Sequence, residues 1–235
     1  MNMRISDFKG ITKRSIATVD SIENVFGDYY IAKLIPQEGL VWLPGEHGVF
    51  TIPGRKTEGK KWRAFSVASI PEEGFLMIGT RTGTRISGFK KQLIGLENGD
   101  ELNLRGPFGW FLLRDDYSPL VMIAGGVGIT PIRALLMELG KGNNREVEVV
   151  YSSGPGYLFE DEIKLIAEKD PRIKLNFMKG RDETREKIYE ITKRFKSDAY
   201  YYVSGNPKMV KETKNLIKGE GIKGGRVIND PFYGY

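Results

Sequence analysis

The chain has 235 residues, a formal net charge of +6, a single histidine (His47) and no cysteine. From its own residues it therefore cannot form a disulfide, a cysteine-ligated iron–sulfur cluster or a multi-histidine metal site, and we expect no bound metal. No apolar run reaches the ~18 residues of a membrane span, and the N-terminal segment lacks a signal-peptide core. We therefore expect a cytoplasmic protein without a membrane span, in which His47 is a packed or exposed residue rather than a ligand.

The first half of the chain shows short β-type runs punctuated by glycine and proline. Six candidate strands cover residues 12–19, 29–35, 49–53, 64–68, 75–80 and 101–104. One helix is predicted over 87–96, with Ser87 as its N-cap. This spacing predicts an antiparallel β-barrel domain over residues 1–113.

After about residue 114 the pattern changes to alternating strands and helices. Candidate strands cover 120–124, 146–151, 174–178, 199–203 and 226–228, and candidate helices cover 131–139, 160–168, 185–195 and 207–218. This alternation predicts a parallel sheet with helices on both faces, a Rossmann-like domain over residues 114–235. The polar segment 114–118 is the predicted linker.

A glycine-rich turn follows the first strand of this second half. The apolar run ends in Gly125, Gly126 and Gly128, and Thr130 and Pro131 then open a helix. Glycines permit close backbone approach, and a helix N-terminus offers free N–H groups to an anion, so the unit resembles a pyrophosphate cradle. The turn departs from the G-x-G-x-x-G fingerprint, and a tight turn of any α/β protein is the alternative.

Three motifs lie in the first half. Arg63-Ala64-Phe65-Ser66 occupies a candidate strand, where alternation places Arg63 and Phe65 on one face and Ser66 on the other. The segment 83–88 leads from a glycine into the predicted helix, and 105–109, R-G-P-F-G, closes the half. Taken singly, each motif is typical of an ordinary barrel strand or turn.

Taken in order, these motifs resemble those of the ferredoxin–NADP reductase superfamily of flavoproteins. The resemblance covers nearly the whole chain and rests on the R-x-[YF]-S strand, the G-P-x-G turn and the A-G-G-x-G-I-T-P loop at the expected spacing. It implies a barrel that holds FAD and an α/β domain that binds NAD(P)H. The implied activity is hydride transfer between NAD(P)H and flavin, with single electrons passed to or from a carrier such as ferredoxin.

The resemblance assigns roles to residues of the barrel half. Arg63 is expected to pair with the flavin nucleotide's phosphate, Phe65 to lie against the isoalloxazine ring, and Ser66 to hydrogen-bond near flavin N5. Ser87 is expected on the pyrophosphate. Further flavin contacts are expected from Val67, Gly83 and Gly88.

It also assigns roles in the second half. The loop Gly125, Gly126, Gly128, Thr130 and Pro131 matches the family's nicotinamide-nucleotide loop, and the segment 203–207 matches its C-G-x-P segment, contributing Gly205 and Pro207. Ser204 replaces the usual cysteine near the nicotinamide and, with Ser66, is predicted to be catalytic. In the C-terminal tail, Phe232 or Tyr235 is expected either to cover the flavin or to pack as a strand end.

The choice between NADP and NAD depends on charges around the adenosine 2′ position. Lys179-Gly180-Arg181, followed by Lys187 and Tyr189, matches the pattern of NADP-specific relatives, so Arg181 is predicted to bind the 2′-phosphate, with NAD left open.

The basic stretch 55–61 is either a solvated loop or a landing site for an acidic partner such as ferredoxin. Two alternative functions are a flavin-binding subunit of a larger complex and an NAD(P)H-dependent flavin or ferric reductase. A nucleotide-binding module without redox activity is a third. No nucleic-acid motif is present, and the lack of G-x-x-x-x-G-K-[ST] argues against a GTPase or kinase.

Overall fold

The first sheet of the protein is antiparallel and strongly curled. The structure, a computed structural model, describes residues 5–230. The six strands follow the order β4-β3-β6-β1-β2-β5. Their bounds are β1 Arg14–Phe26, β2 Tyr29–Pro36, β3 His47–Thr51, β4 Trp62–Ser66, β5 Leu76–Arg81 and β6 Glu101–Phe108, and helix α1 covers Gly88–Leu93 between β5 and β6.

The curl brings the two edge strands of this sheet together. The amide of Ala68, just beyond β4, donates to the carbonyl oxygen of Met77 in β5 at 2.7 Å. Alternate residues of the strands point inward, so Leu34, Phe50 and Leu102 are fully buried in the barrel core. The predicted barrel domain is thus confirmed as a curled sheet around one apolar core.

The second sheet is parallel, with strand order β11-β10-β7-β8-β9. Its strands are β7 Leu120–Gly125, β8 Val147–Ser152, β9 Ile173–Met178, β10 Tyr200–Ser204 and β11 Val227–Asn229. The helices are α2 Ile129–Leu139, α3 Glu160–Lys169, α4 Arg181–Phe195 and α5 Pro207–Gly219. Two apolar clusters cover its two faces, so the predicted doubly covered parallel sheet is also confirmed.

Several element boundaries differ from the predicted ones, and two of them, in β1 and α4, have a cause in the sequence pattern. Strand β1 continues to Phe26 rather than ending at 19, because residues 20–26 are held by backbone pairing with β2 while most of their side chains stay exposed. Helix α4 begins at Arg181 rather than at 185, because its first turn, R-D-E-T, carries no apolar residue that would extend the periodic pattern. Both boundaries were predicted from the periodicity of apolar residues, and the polar segments at the end of β1 and the start of α4 lack that periodicity.

An apolar seam joins the two sheets. The cluster on one face of the parallel sheet includes Ala68 and Met77 from the curled sheet together with Ile129, Ile132 and Leu135 from α2. The break between sheets falls between Phe108 and Leu120, which brackets the boundary predicted at 113 and 114. Within residues 5–230, no helix combines the length and apolarity needed to cross a bilayer.

Candidate functional site

The glycine-rich turn after β7 has two different reasons for its glycines. Gly126 has φ +54°, a left-handed conformation that favours glycine. A Cβ at Gly128 would lie 2.2 Å from the carbonyl oxygen of Ser204, so the close approach of the protein's own backbone requires glycine at this position. Thr130 is buried, and its hydroxyl donates to the carbonyl oxygen of Val127 at 2.7 Å. The turn therefore joins β7 to β10 as well as presenting Gly125 and Gly126 outward.

A cleft of about 1000 Å³ opens beside this turn. Both sheets contribute to it, since Tyr29 and Arg81 come from the curled sheet and Gly125 to Val127 from the turn. The other walls are formed by the loop after β8, by the start of α4 with the loop before it, and by α5 with the residue before it. In that order, these walls contribute Ser152, Ser153 and Pro155, then Lys179, Arg181, Thr184 and Arg185, then Asn206, Lys208, Met209 and Glu212. The glycine turn, predicted to bind a nucleotide, thus borders a cavity large enough for one.

The charges that line this cleft are mostly positive. Five cations line it, Arg81, Lys179, Arg181, Arg185 and Lys208, against the acid Glu212. Arg181 is the first residue of α4, and its guanidinium lies 2.8 Å from the Glu212 carboxylate of α5. The arrangement favours an anionic ligand.

Strand β4 separates its motif residues between two faces, as alternation predicts. Phe65 is buried in the barrel core, with its ring 5.9 Å from that of Phe50 and 6.1 Å from that of Phe89. Arg63 is on the same face and donates to the carbonyl oxygens of Lys60 and Trp62. Its buried Nε has no hydrogen-bond partner among the described residues. Burial lowers the pKa of Arg63, and the unpartnered Nε–H is a donor suited to an anion.

The segment predicted to hold a pyrophosphate lies close to Arg63. Ser87 is the N-cap of α1, since its hydroxyl accepts from the amide of Lys90. A Cβ at Gly88 would lie 2.4 Å from the carbonyl oxygen of Glu58, so the loop before β4 closes over this turn. Gly83 has φ +71° and donates its amide to the Asp28 carboxylate at 2.9 Å.

Lys90 is a second buried cation beside Arg63, and sequence reasoning missed it. Its ammonium donates to the carbonyl oxygen of Arg81 at 2.6 Å. Burial first, then repulsion from Arg63, lower the pKa of Lys90 to about 8. A lysine at a half-polar helix position carries no sequence signal of burial, so only the packing of α1 reveals this pair.

The two predicted catalytic serines meet at one carboxyl group. The hydroxyl of Ser66, at the end of β4, donates to Oδ2 of Asp230 at 2.7 Å, and the hydroxyl of Ser204, at the end of β10, donates to the same oxygen at 3.3 Å. Asp230 is buried, and its Oδ1 has no partner within the described part of the chain. Burial raises the pKa of Asp230 to about 7, although the two hydroxyl bonds lower it.

Sequence reasoning assigned no role to Asp230. The available signal was an acidic residue directly after the last strand, on the carboxyl edge of a parallel sheet where ligands bind. The tail residues Phe232 and Tyr235 lie outside the described residues.

The remaining predicted residues frame these contacts. Val67 is buried in the barrel core, and its amide donates to the carbonyl oxygen of Glu46 at 2.9 Å. Pro207 is the first residue of α5, and Gly205 packs against the Met209 side chain. His47 is buried opposite Ser66 on β3, where burial lowers its pKa to about 4, so the prediction of a packed residue is the one that fits.

Comparison with known sequences gives matches to a domain family in the second part of the chain and to longer relatives. The oxidoreductase NAD-binding domain family matches residues 122–215. The chain is 31% identical over 152 residues to the reductase component of propane 2-monooxygenase from Rhodococcus jostii, covering 61% of this chain and 40% of the relative. It is 26% identical over 197 residues to the toluate 1,2-dioxygenase electron transfer component from Pseudomonas putida, covering 78% and 56%. The chain thus spans about half the length of these relatives.

Comparison with solved structures extends over both halves. Ferredoxin–NADP⁺ reductase from Plasmodium falciparum superposes with a TM-score of 0.76 at 16% identity, covering 92% of this chain and 95% of that one. A flavohemoglobin from Malassezia yamatoensis, solved with bound FAD and heme, gives a TM-score of 0.77 at 19% identity, covering 94% and 60%. At these identities the likeness establishes the two-domain fold.

Proposed function

We propose that the chain is a member of the ferredoxin–NADP reductase superfamily and an FAD-dependent NAD(P)H oxidoreductase that delivers single electrons to a separate carrier. The observation that carries the proposal is the meeting of Ser66, Ser204 and Asp230 where the two domains join. Two motifs predicted for the flavin side and the nicotinamide side of one reaction converge there on a shared carboxyl group. The two described domains would carry out flavin reduction, and the electron acceptor would be a separate partner.

The barrel side has residues suited to hold the flavin nucleotide. Arg63 offers a buried Nε–H without a partner among the described residues, and Lys90 adds a second buried cation whose pKa is lowered by burial and then by repulsion from Arg63. Two buried like charges favour binding of an anion, which a diphosphate supplies. When bound, FAD supplies the hydride acceptor and the conversion from electron pairs to single electrons.

This binding role has a matched test on α1. Lys90→Met should weaken FAD binding by at least tenfold in a fluorescence titration of the unliganded protein, whereas Lys91→Met, which removes an exposed cation one residue away, should leave affinity within twofold. Arg63→Ala should weaken it further. Full flavin occupancy in purified Arg63→Ala protein would contradict the assignment.

The carboxyl of Asp230 orients the catalytic hydroxyl and holds a proton. Because its pKa is about 7, Asp230 is divided between its protonated and ionised forms near neutral pH. The bond from Ser66 to Oδ2 fixes the hydroxyl at the end of β4, and Ser204 fixes the same oxygen from β10. The two strand ends exclude water, as the burial of Ser204 and Asp230 illustrates.

The nucleotide that we propose for the cleft is NADPH. Lys179, Arg181 and Arg185 lie together at the start of α4 and in the loop before it, on the wall formed by the second half of the sheet. Guanidinium and ammonium groups at this place suit a 2′-phosphate, whereas an acid would suit the free ribose hydroxyls. Glu212 pairs with Arg181 and reduces its availability, so NADH is expected to be a weaker second donor.

The acceptor is a small acidic electron carrier such as a ferredoxin. Of the basic stretch 55–61, Arg55 is engaged with Asp100 at 2.6 Å, while Lys56, Lys60 and Lys61 extend the positive surface toward the exposed Trp62. This loop runs directly into β4, whose end carries Ser66. The related oxygenase components, named as reductase and electron transfer components, support a partner of this kind. A free flavin or ferric chelate is the alternative acceptor.

Anaerobic stopped-flow reduction with NADPH and with NADH tests the function. Loss of the visible flavin band should be faster with NADPH at equal concentration, and Arg181→Gln should remove that preference while Lys218→Gln, at the far end of α5, keeps it. Flavin that neither nucleotide reduces would favour a subunit dependent on a larger complex. A protein that shows no flavin band after incubation with FAD would overturn the proposal.

A further inference from the structure

We propose that Arg133 is a positioning residue for hydride transfer, because its guanidinium holds the nucleotide domain at a set orientation against the chain segment that leaves Ser66. This inference rests on the proposed function and extends it to a residue outside the cleft. The relevant groups lie on three elements: α2, the connection between β4 and β5, and α3.

The first step is the geometry across the domain boundary. Arg133 lies on α2 and is 2% exposed. Its Nη1 donates to the carbonyl oxygen of Ala68 at 2.8 Å and to Oε2 of Glu73 at 3.0 Å, and its Nη2 donates to Oε1 of Glu73 at 2.7 Å. Ala68 and Glu73 belong to the curled-sheet domain. One side chain therefore binds the opposite domain through three hydrogen bonds.

The second step is how the guanidinium is held from its own domain. Its Nε donates to Oε2 of Glu162 on α3 at 2.8 Å, and Nη2 donates to the same carboxylate. The ring of Phe159 lies 5.3 Å from the guanidinium carbon. These contacts, with the three across the boundary, use all five N–H groups of the side chain. A planar group engaged on every side can adopt only one orientation.

The third step connects this cluster to the reacting groups. Helix α2 follows directly from the glycine turn that borders the cleft, and Ala68 lies just beyond Ser66 at the end of β4. The guanidinium thus ties together the two segments whose separation decides the distance between nicotinamide and flavin. Hydride transfer needs a contact of ~3.5 Å, and a displacement of ~1 Å costs about a hundredfold in rate.

The apolar seam cannot supply this precision by itself. Ala68 and Met77 pack against α2 residues such as Ile132, and such contacts hold surfaces together without fixing a direction. The hydrogen bonds of Arg133 are directional, so they select one orientation among those that the seam permits. In this proposal the apolar seam holds the two domains together, and the hydrogen bonds of Arg133 set their relative orientation.

The test compares two conservative changes on either side of the guanidinium. Glu73→Gln replaces one of the two carboxylate oxygens that cross the boundary by an amide NH₂, while Glu162→Gln makes the same change within one domain. Glu73→Gln should slow single-turnover flavin reduction at least tenfold at saturating NADPH, with the nucleotide dissociation constant and FAD content within twofold. Glu162→Gln should leave the rate within threefold. Equal effects of the two changes would overturn the proposal.

A second readout needs neither cofactor nor turnover. Because the chain has no cysteine, Glu38→Cys in the curled-sheet domain and Glu186→Cys on α4 give two unique exposed sites for spin labels. Pulsed electron resonance should report a broader distribution of label-to-label distances with Glu73→Gln than with Glu162→Gln. Arg133→Lys keeps the charge but loses the planar fork, and its distribution should be at least as broad as that of Glu73→Gln. An unchanged distribution in Glu73→Gln and Arg133→Lys would overturn the alignment role.

The two readouts also separate this inference from the proposed function. If the unaltered protein shows no reduction by either nucleotide, the proposed function fails while the distance measurement still decides whether Arg133 aligns the domains. If reduction is fast and the distances do not respond to Glu73→Gln, the function stands and the positioning role is wrong.

Discussion

Two buried polar junctions cross the same domain boundary, and they are built in opposite ways. At the Arg133 junction, a buried cation meets the carboxylates of Glu73 and Glu162 and the carbonyl of Ala68, with every guanidinium N–H engaged. At the Asp230 junction, a buried carboxyl receives two hydroxyls on one oxygen and has no partner on the other among the described residues. The first junction is fully satisfied and the second is not.

The difference fits the roles that we propose for the two junctions. Hydrogen bonds and attraction from Glu73 and Glu162 outweigh burial and raise the pKa of Arg133, so its charge is fixed. At Asp230 burial outweighs the hydroxyl bonds and brings the pKa to about 7, so its charge is easily changed. A permanent charge suits alignment, whereas an exchangeable proton suits chemistry at the ends of β4 and β10.

The largest effect is expected from breaking the Arg133 junction. Arg133→Met leaves the partly buried Glu73 without its cation, and breaking a buried pair of this kind costs roughly 3–5 kcal/mol. Urea denaturation of the cofactor-free protein measures the loss. The control is Glu72→Gln, which removes an exposed ion pair with Lys141 across the same boundary and should leave the midpoint unchanged. Equal midpoints for both variants would contradict the comparison.

Asp230→Asn should have the opposite sign, because the native carboxyl resists ionisation. With its pKa raised from 3.8 to about 7, the folded state keeps a proton that the unfolded state has lost, so stability falls as pH rises through this window. The variant should gain on the order of 4 kcal/mol over the parent protein at pH 8 and little at pH 4. Denaturation curves across this range test it, with the exposed Asp116→Asn as control. A parallel offset at all pH values would show that Asp230 is not the titrating group.

The serines should differ in kinetic effect according to their distances from Asp230. Ser66→Ala removes the 2.7 Å bond and should slow flavin reduction about tenfold, which corresponds to ~1.4 kcal/mol, while FAD affinity changes less. Ser204→Ala removes the 3.3 Å contact and should have a smaller effect on the rate. Stopped-flow reduction and FAD titration measure the two quantities. An unchanged rate in Ser66→Ala would remove this residue from the mechanism.

The smallest effect is expected at His47, which lies opposite Ser66 in β3. Burial lowers its pKa from 6.5 to about 4, so the folded state excludes a proton that the unfolded state binds, and stability is lost as pH falls through this window. His47→Gln should recover on the order of 1 kcal/mol at pH 5.5 relative to its effect at pH 7.5. Thermal unfolding at the two pH values checks this. Equal pH dependence in both proteins would place the acid sensitivity elsewhere.

Local patterns predicted most of the fold and individual members of the site. Alternation in β4 correctly separated Arg63 from Ser66, and Ser87 was correctly predicted as a cap, because both depend on neighbouring residues. The start of α4 was predicted four residues late, since its first turn is entirely polar. The sequence analysis attributed the glycine at position 128 to the close approach of a ligand, whereas in the structure the carbonyl oxygen of Ser204 leaves no room there for a Cβ.

The sequence by itself determined the order of the two domains, the type of each sheet and the motifs at the strand ends, because these follow from short-range periodicity and composition. Only the tertiary structure decided that Asp230 meets Ser66, 164 residues away, and that Arg133 reaches Glu73 across the boundary. Burial of a carboxyl or a guanidinium depends on which surfaces pack together. The partners of Asp230 and Arg133, and therefore their pKa values, are set only when the two sheets pack together.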